Sequence, residues 1–368
     1  MIDASAIRAK SEQLFNHFQS AGAAAVETDI LQPADTLLDL YGEDIRGRAY
    51  VTTDPLRGEV MLRPDFTVPV VQMHMQNGAE PARYTYMGKV FRKQEHELGR
   101  SSEFFQVGYE VFDRADPIAA DAEVFALIAD ALRPLNLRAA TGDFGILLAA
   151  IDGLKTTDRR KAALRRHLWR PRRFRALLDR FGGRSPAPET RVKLLAVADA
   201  MGIPALMDKA GPEIGLRRRA EVETRILALQ EDAATAPISR GELEVLDHIL
   251  ALRETAPNAL EHLRDIAVDL PHILPAVQRI EQRLAALADR GVDVSALDFE
   301  ASYGRTTMEY YDGFVFGFYA ETRPDLPPVA SGGRYDALTR VLGQGRSIPA
   351  VGGVIRPAEL LTLTEAAQ

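Results

Sequence analysis

Residues 83–112, RYTYMGKVFRKQEHELGRSSEFFQVGYEVF, hold the side chains whose types and spacing best suit chemistry: two strand-like runs flank a polar loop, with Arg92 closing the first run and Gln106, Gly108 and Glu110 in the second. Side chains alternate along a strand, so Gln106, Gly108 and Glu110 share one face. Gln106 and Glu110 offer acceptors to an α-ammonium, Arg92 offers a fork of donors to a carboxylate, and the glycine leaves space between the polar groups. The set suits a free amino acid. Taken alone, the pattern also fits a glycine at a bulge beside solvent-facing polar side chains.

The same alternation in YYDGFVFGFY, residues 310–319, puts Tyr311, Gly313, Val315, Gly317 and Tyr319 on one face and Phe314, Phe316 and Phe318 on the other. Two glycines beside two phenols describe a pocket wall, or a core strand that accommodates a crossing helix. Ser331-Gly332-Gly333-Arg334-Tyr335-Asp336 either brings bare backbone to a ligand or makes a Gly-Gly turn before a helix. In Leu62-Arg63-Pro64-Asp65-Phe66-Thr67 a carboxylate and a hydroxyl stand at a predicted helix start, where Asp65 is a cap first and an ammonium ligand second.

These residues need elements to position them. Ile7, Leu14, Phe15 and Phe18 predict an amphipathic helix over the first twenty residues. Residues 46–53 and 59–63 read as paired strands around the turn Asp54-Pro55-Leu56-Arg57-Gly58. A helix should begin near Pro64-Asp65, and another after Asp116, with Pro117 at its first position. The pattern is α+β, mainly antiparallel. From about residue 154 to 294 the strand signal vanishes, and β signals resume at 310–320 and 349–355. The chain therefore divides into a discontinuous domain, 1–153 with 295–368, and a helical insertion, 154–294. Within the insertion, residues 155–178 carry a basic run with Trp169 and Phe174. That run suits RNA, phosphates or an acidic partner; in a net acidic chain, cationic side chains on exposed helix faces are the stronger reading.

Composition narrows the classes. A chain of 368 residues, 46% hydrophobic and 26% charged, can bury a large core, and its net charge of -7 supplies no global attraction to nucleic acid. The absence of cysteine excludes disulfides, thiol catalysis and cysteine-ligated metals, and the seven histidines show no metal-ligand spacing. No apolar run is long enough to span a bilayer. The expectations are a cytoplasmic protein with no metal and no cofactor.

Four motifs in order make the chain resemble histidyl-tRNA synthetases: Leu62-Arg63-Pro64-Asp65-Phe66-Thr67; Phe91-Arg92 with Gly99-Arg100 and Glu103-Phe104-x-Gln106-x-Gly108-x-Glu110; Tyr310-Tyr311-Asp312-Gly313-x-Val315-Phe316; and Gly332-Gly333-Arg334-Tyr335-Asp336. The resemblance implies a class II aminoacyl-tRNA synthetase-like antiparallel sheet flanked by helices, usually dimeric. It also implies a histidine pocket formed by Asp65, Thr67, Arg92, Gln106, Glu110, Tyr311 and Tyr335.

The departures shape the expected activity. The arginine that the family places before its Gly-Leu-Asp-Tyr-Tyr motif aligns with Thr306, next to Arg305, and a second loop arginine becomes Ser102. The closing motif, which ends Gly-x-Glu-Arg in the family, reads Arg356-Pro357-Ala358-Glu359, so its ATP-binding arginine becomes a carboxylate. Losing a cation placed against developing phosphate charge can cost several kcal/mol of barrier. The sequence also leaves no room for an anticodon-binding domain after this motif, which argues against tRNA as a partner. With these changes the chain is similar to regulatory subunits of ATP phosphoribosyltransferase, which acts first in histidine biosynthesis. The similarity implies no catalytic residues, a short catalytic subunit as partner in a hetero-octamer, self-dimerisation through the synthetase-like domain, and histidine as effector. Whether histidine sits in the inherited pocket or at a subunit interface is left open by the sequence. The competing expectations are a divergent adenylate-forming enzyme, kept in view by Arg92, Arg100, Arg305 and Arg356, and an RNA-binding insertion.

Overall fold

The computed structural model describes residues 2–41, 45–94, 101–305 and 310–366. Contacts divide the chain into two compact units, residues 1–147 with 249–368, and residues 148–248.

Among the described residues the first unit has twelve strands: β1 (Ala24–Ala25), β2 (Leu31–Pro33), β3 (Val51–Asp54), β4 (Gly58–Leu62), β5 (Ala82–Phe91), β6 (Glu103–Phe112), β7 (Arg138–Asp143), β8 (Arg253–Thr255), β9 (Asp298–Glu300), β10 (Phe314–Tyr319), β11 (Ala330–Arg334) and β12 (Ala350–Ile355). Nine of them form one sheet in the order β1-β5-β6-β12-β11-β10-β7-β9-β8, and β2-β4-β3 form a smaller one. Pairing is antiparallel except at β1–β5 and β7–β9. The aromatic stripe of β10 behaves as its alternation predicts: Phe314, Phe316 and Phe318 pack on Phe125 of the helix Pro117–Leu132, with ring centroids 6.2, 5.3 and 5.1 Å away. That helix starts where the sequence places it, with the Asp116 carboxylate accepting from the Ala119 amide at 2.9 Å and Pro117 at its first position.

Local chemistry moved several predicted boundaries. The turn after β3 forms around Asp54, whose carboxylate accepts the Leu56 and Arg57 amides, but the strand begins only at Val51, because Ile45–Arg48 is helical. The carbonyls of Arg46 and Arg48 are taken by Lys93 instead of a ladder. The helix expected near Pro64 begins at Thr67. Strand β10 starts at Phe314 rather than Tyr310, since the Asp312 carboxylate turns aside to accept the Asp336 and Ala337 amides that open the helix Asp336–Leu342. Residues 330–334 are a strand, not a Gly-Gly turn.

The insertion is narrower than residues 154–294. Helices Ala256–Asp269 and Leu274–Asp289 belong to the first unit, and the short β8 pairs with β9 inside the region that reads as strand-free. The reason is a buried ionic joint. Arg283, on the second helix, donates to Asp121 at 2.9 Å and to Asp143 at 2.8 Å, while Arg334 of β11 donates to Asp121 at 2.7 Å.

The second unit is helical. Leu164, Phe174, Leu178, Phe181, Ile226, Leu243 and Leu246 are buried in it. Part of its basic run is engaged internally: Arg160 is buried and pairs with Asp232 at 2.5 Å, Arg165 pairs with Asp152, and Arg175 pairs with Asp247. Arg172 and Arg173 are exposed. Among the described residues no helix is long and apolar enough to cross a membrane, and no group of acidic, histidine or cysteine side chains could hold a metal ion.

Candidate functional site

A cavity of about 240 Å³ opens in the first unit over the middle of the nine-stranded sheet. Five of the seven residues singled out in the sequence line it: Asp65, Thr67, Arg92, Gln106 and Tyr311. Asp65 and Thr67 come from the entry to the helix Thr67–Asn77, where the Val68 amide points at the Asp65 carboxylate from 3.4 Å. Arg92 follows β5 and is fixed by its Nε donating to the Pro64 carbonyl at 2.7 Å, with its guanidinium 5.7 Å from the centroid of Phe104. Gln106 sits in mid-β6, fully buried, with neither its carbonyl oxygen nor its amide nitrogen partnered among the described residues. A buried amide of this kind is a place for a ligand's polar group, because leaving it unmet costs about 1–3 kcal/mol.

Glu110 and Tyr335 lie behind the cavity wall. Glu110 accepts from Thr67 Oγ1 at 3.0 Å, Tyr86 Oη at 2.8 Å and Tyr335 Oη at 2.6 Å, so its oxygens are occupied by hydroxyls rather than directed at an ammonium. The glycine expected to open ligand space serves this cluster: a Cβ at Gly108 would strike the Tyr86 ring, and one at Gly352 would strike the Glu110 carboxylate. The β5–β6 ladder is regular through Gly108, which rules out a bulge there. Gly108 and Gly352 are thus glycines because a phenol and a carboxylate need their places.

Burial pushes the Glu110 carboxyl up to about 7, nearby Asp65 adds to this, and the three hydroxyls pull back toward the charged form. A folded value above the unfolded one of about 4.3 means that the native state holds the proton more tightly. Its stabilisation is complete below pH 4.3 and fades as pH rises toward 7. The wild type should therefore lose about 3 kcal/mol of unfolding free energy relative to Glu110→Gln between pH 4.5 and 7.5 in urea titrations. Parallel profiles for the two proteins would refute this.

The far side of the cavity was legible in part: Tyr311 and Tyr319, from the face read as a pocket wall or a core strand, and Ser331 and Gly332, from the segment read as bare backbone beside a ligand, line it. Arg356, read in the sequence as part of a lost motif, lines it together with Ser331, Tyr303 and Tyr319. Its Nη1 donates to the Pro328 carbonyl at 2.6 Å and its Nη2 to Ser331 Oγ at 3.2 Å. Burial, reinforced by the nearby charge of Arg92, pushes the guanidinium down to about 10, which leaves it cationic at neutral pH. Glu359 lies near enough for its charge to act on Arg356. Arg305 is buried and does not line the cavity, and Ser102 uses its carbonyl to accept the Arg92 amide. Thr306 and Arg100 fall outside the described residues.

The histidyl-tRNA synthetase family model matches residues 2–230 and 214–360. A protein of Brucella anthropi named ATP phosphoribosyltransferase regulatory subunit is 32% identical over 344 residues, 90% of each chain. This chain belongs to the ATP phosphoribosyltransferase regulatory subunit family. A second member, from Brucella canis, is 31% identical over the same span. Among solved structures, an ATP phosphoribosyltransferase regulatory subunit/histidyl-tRNA synthetase of Bacillus halodurans aligns with TM-score 0.67 at 21% identity, covering 99% of this chain and 81% of that one. Histidyl-tRNA synthetase from Nostoc gives 0.63 at 17% identity, covering 98% and 72%. The regulatory-subunit family thus carries a histidyl-tRNA synthetase-like fold, as the four motifs imply.

Proposed function

We propose that this chain is the non-catalytic regulatory subunit of an ATP phosphoribosyltransferase, that it activates a short catalytic subunit, and that it conveys feedback inhibition by histidine. One observation carries the reading beyond the family name. The cavity keeps a carboxylate, an amide unpartnered among the described residues and a guanidinium suited to a zwitterion, while the resemblance places Glu359 at the position of the synthetase motif's ATP-binding arginine. A pocket that can bind an amino acid but cannot activate it is a sensor. The partner acts in a hetero-octamer, with this chain self-dimerising through its synthetase-like unit. Histidine alters the catalytic subunit by binding one state of the assembly more tightly than the other.

In this reading Asp65 and the Gln106 carbonyl receive the ammonium and Arg92 the carboxylate. Calorimetry with histidine, on the lone chain and on the assembled complex, tests it. Asp65→Asn and Arg92→Ala should each weaken binding about ten-fold or more, as expected for hydrogen bonds to charged groups. Binding unaffected by both substitutions would place histidine elsewhere.

A further inference from the structure

The cavity presents two guanidiniums, and the zwitterion reading uses only one of them. Arg356 follows β12 directly, and at its position the synthetase closing motif has a glycine. Here a long cationic side chain reaches the cavity, with its two terminal nitrogens pinned by Pro328 and Ser331. A guanidinium has five N–H donors, and two of them are taken by Pro328 and Ser331. Held this way, Arg356 has little conformational freedom left to lose when an anion arrives. The Arg92 and Arg356 charges repel one another, Glu359 offsets part of the Arg356 charge, and an anion between the two guanidiniums relieves the repulsion further. The cavity, about 240 Å³, has room for a free amino acid.

We propose that Arg356 is the determinant that makes this cavity selective for an amino acid with a free α-carboxylate, which it grips jointly with Arg92. The proposal rests on the reading of the cavity as a histidine site and adds what the site demands of its ligand. In an adenylating enzyme the carboxylate must remain open to attack a phosphate. Here it is the group held from two sides, so the unactivated amino acid is the final ligand.

The test is calorimetry on the full chain with L-histidine, L-histidinol, which lacks the carboxylate, and histidine methyl ester, which masks its charge. The wild type should bind histidine at least about 100-fold more tightly than either analogue, two charge-assisted contacts being lost. Arg356→Met should weaken histidine about 10- to 100-fold and leave histidinol unchanged, so that selectivity collapses, and Arg356→Lys should restore part of it. Equal wild-type affinities for histidine and histidinol would overturn the proposal without any variant, as would undiminished histidine binding by a folded Arg356→Met protein. If the wild type binds no histidine, the functional reading fails separately. A panel of the other free amino acids then decides the role of Arg356: a ligand whose binding needs both its carboxylate and Arg356 upholds it, and no ligand at all ends it.

Discussion

Replacing Gln106 by methionine should raise the stability of the unliganded protein by about 1–2 kcal/mol and weaken amino-acid binding by about ten-fold or more. The two effects share one cause. Gln106 is fully buried on the cavity wall, and neither end of its amide meets a partner among the described residues. A near-isosteric thioether removes the unmet polar atoms while keeping the packing against its neighbours on β6. The same change takes away the acceptor offered to an ammonium. Urea melts paired with calorimetry separate the outcomes. A destabilised protein with unchanged affinity would make Gln106 a structural residue and remove it from the site.

The largest loss of stability should follow Asp121→Ala. Asp121 is wholly buried and accepts from both Arg283 and Arg334, themselves nearly buried. Removing it leaves Arg283 with Asp143, and Arg334 with Asp336 and the Pro117 carbonyl, among the described residues. Breaking a buried ionic cluster by deleting one partner costs about 3–5 kcal/mol, here because guanidinium N–H groups that Asp121 accepts from lose their partner away from water. The shift in urea midpoint measures it, and a change below about 1 kcal/mol would mean that water reaches the cluster. The joint ties the helices Pro117–Leu132 and Leu274–Asp289 to the sheet, so the cost should appear as a global loss rather than fraying at one end.

Much of the first unit was legible because its signals are local. The alternation in residues 104–112 and 314–319, the Asp116-Pro117 cap and the Asp54 turn each depend on a few neighbouring residues, and each formed. The errors concern partners distant in the chain. Alternation correctly set Gln106 and Glu110 on one face but could not show that Tyr86, from the adjacent strand, would fill the space at Gly108 and engage Glu110. Arginine on a helix reads as surface, so nothing in the sequence showed that Arg283 would pass into the core and draw residues 249–294 into the first unit. Arg356 was visible as part of a lost motif and as a cation that an adenylate-forming enzyme could use. That it had become part of the cavity wall required knowing where β12 ends relative to Pro328 and Ser331.

The decisive measurement is the phosphoribosyltransferase rate of the cognate short catalytic subunit alone, with this chain, and with this chain plus histidine. The rate should rise by about ten-fold or more on addition of the chain, in the range of ordinary coupling energies, and fall back toward the basal value as histidine saturates. No change in rate with folded and correctly mixed subunits would contradict the regulatory reading. Histidine-dependent ATP–pyrophosphate exchange by the lone chain would replace it with an adenylating enzyme.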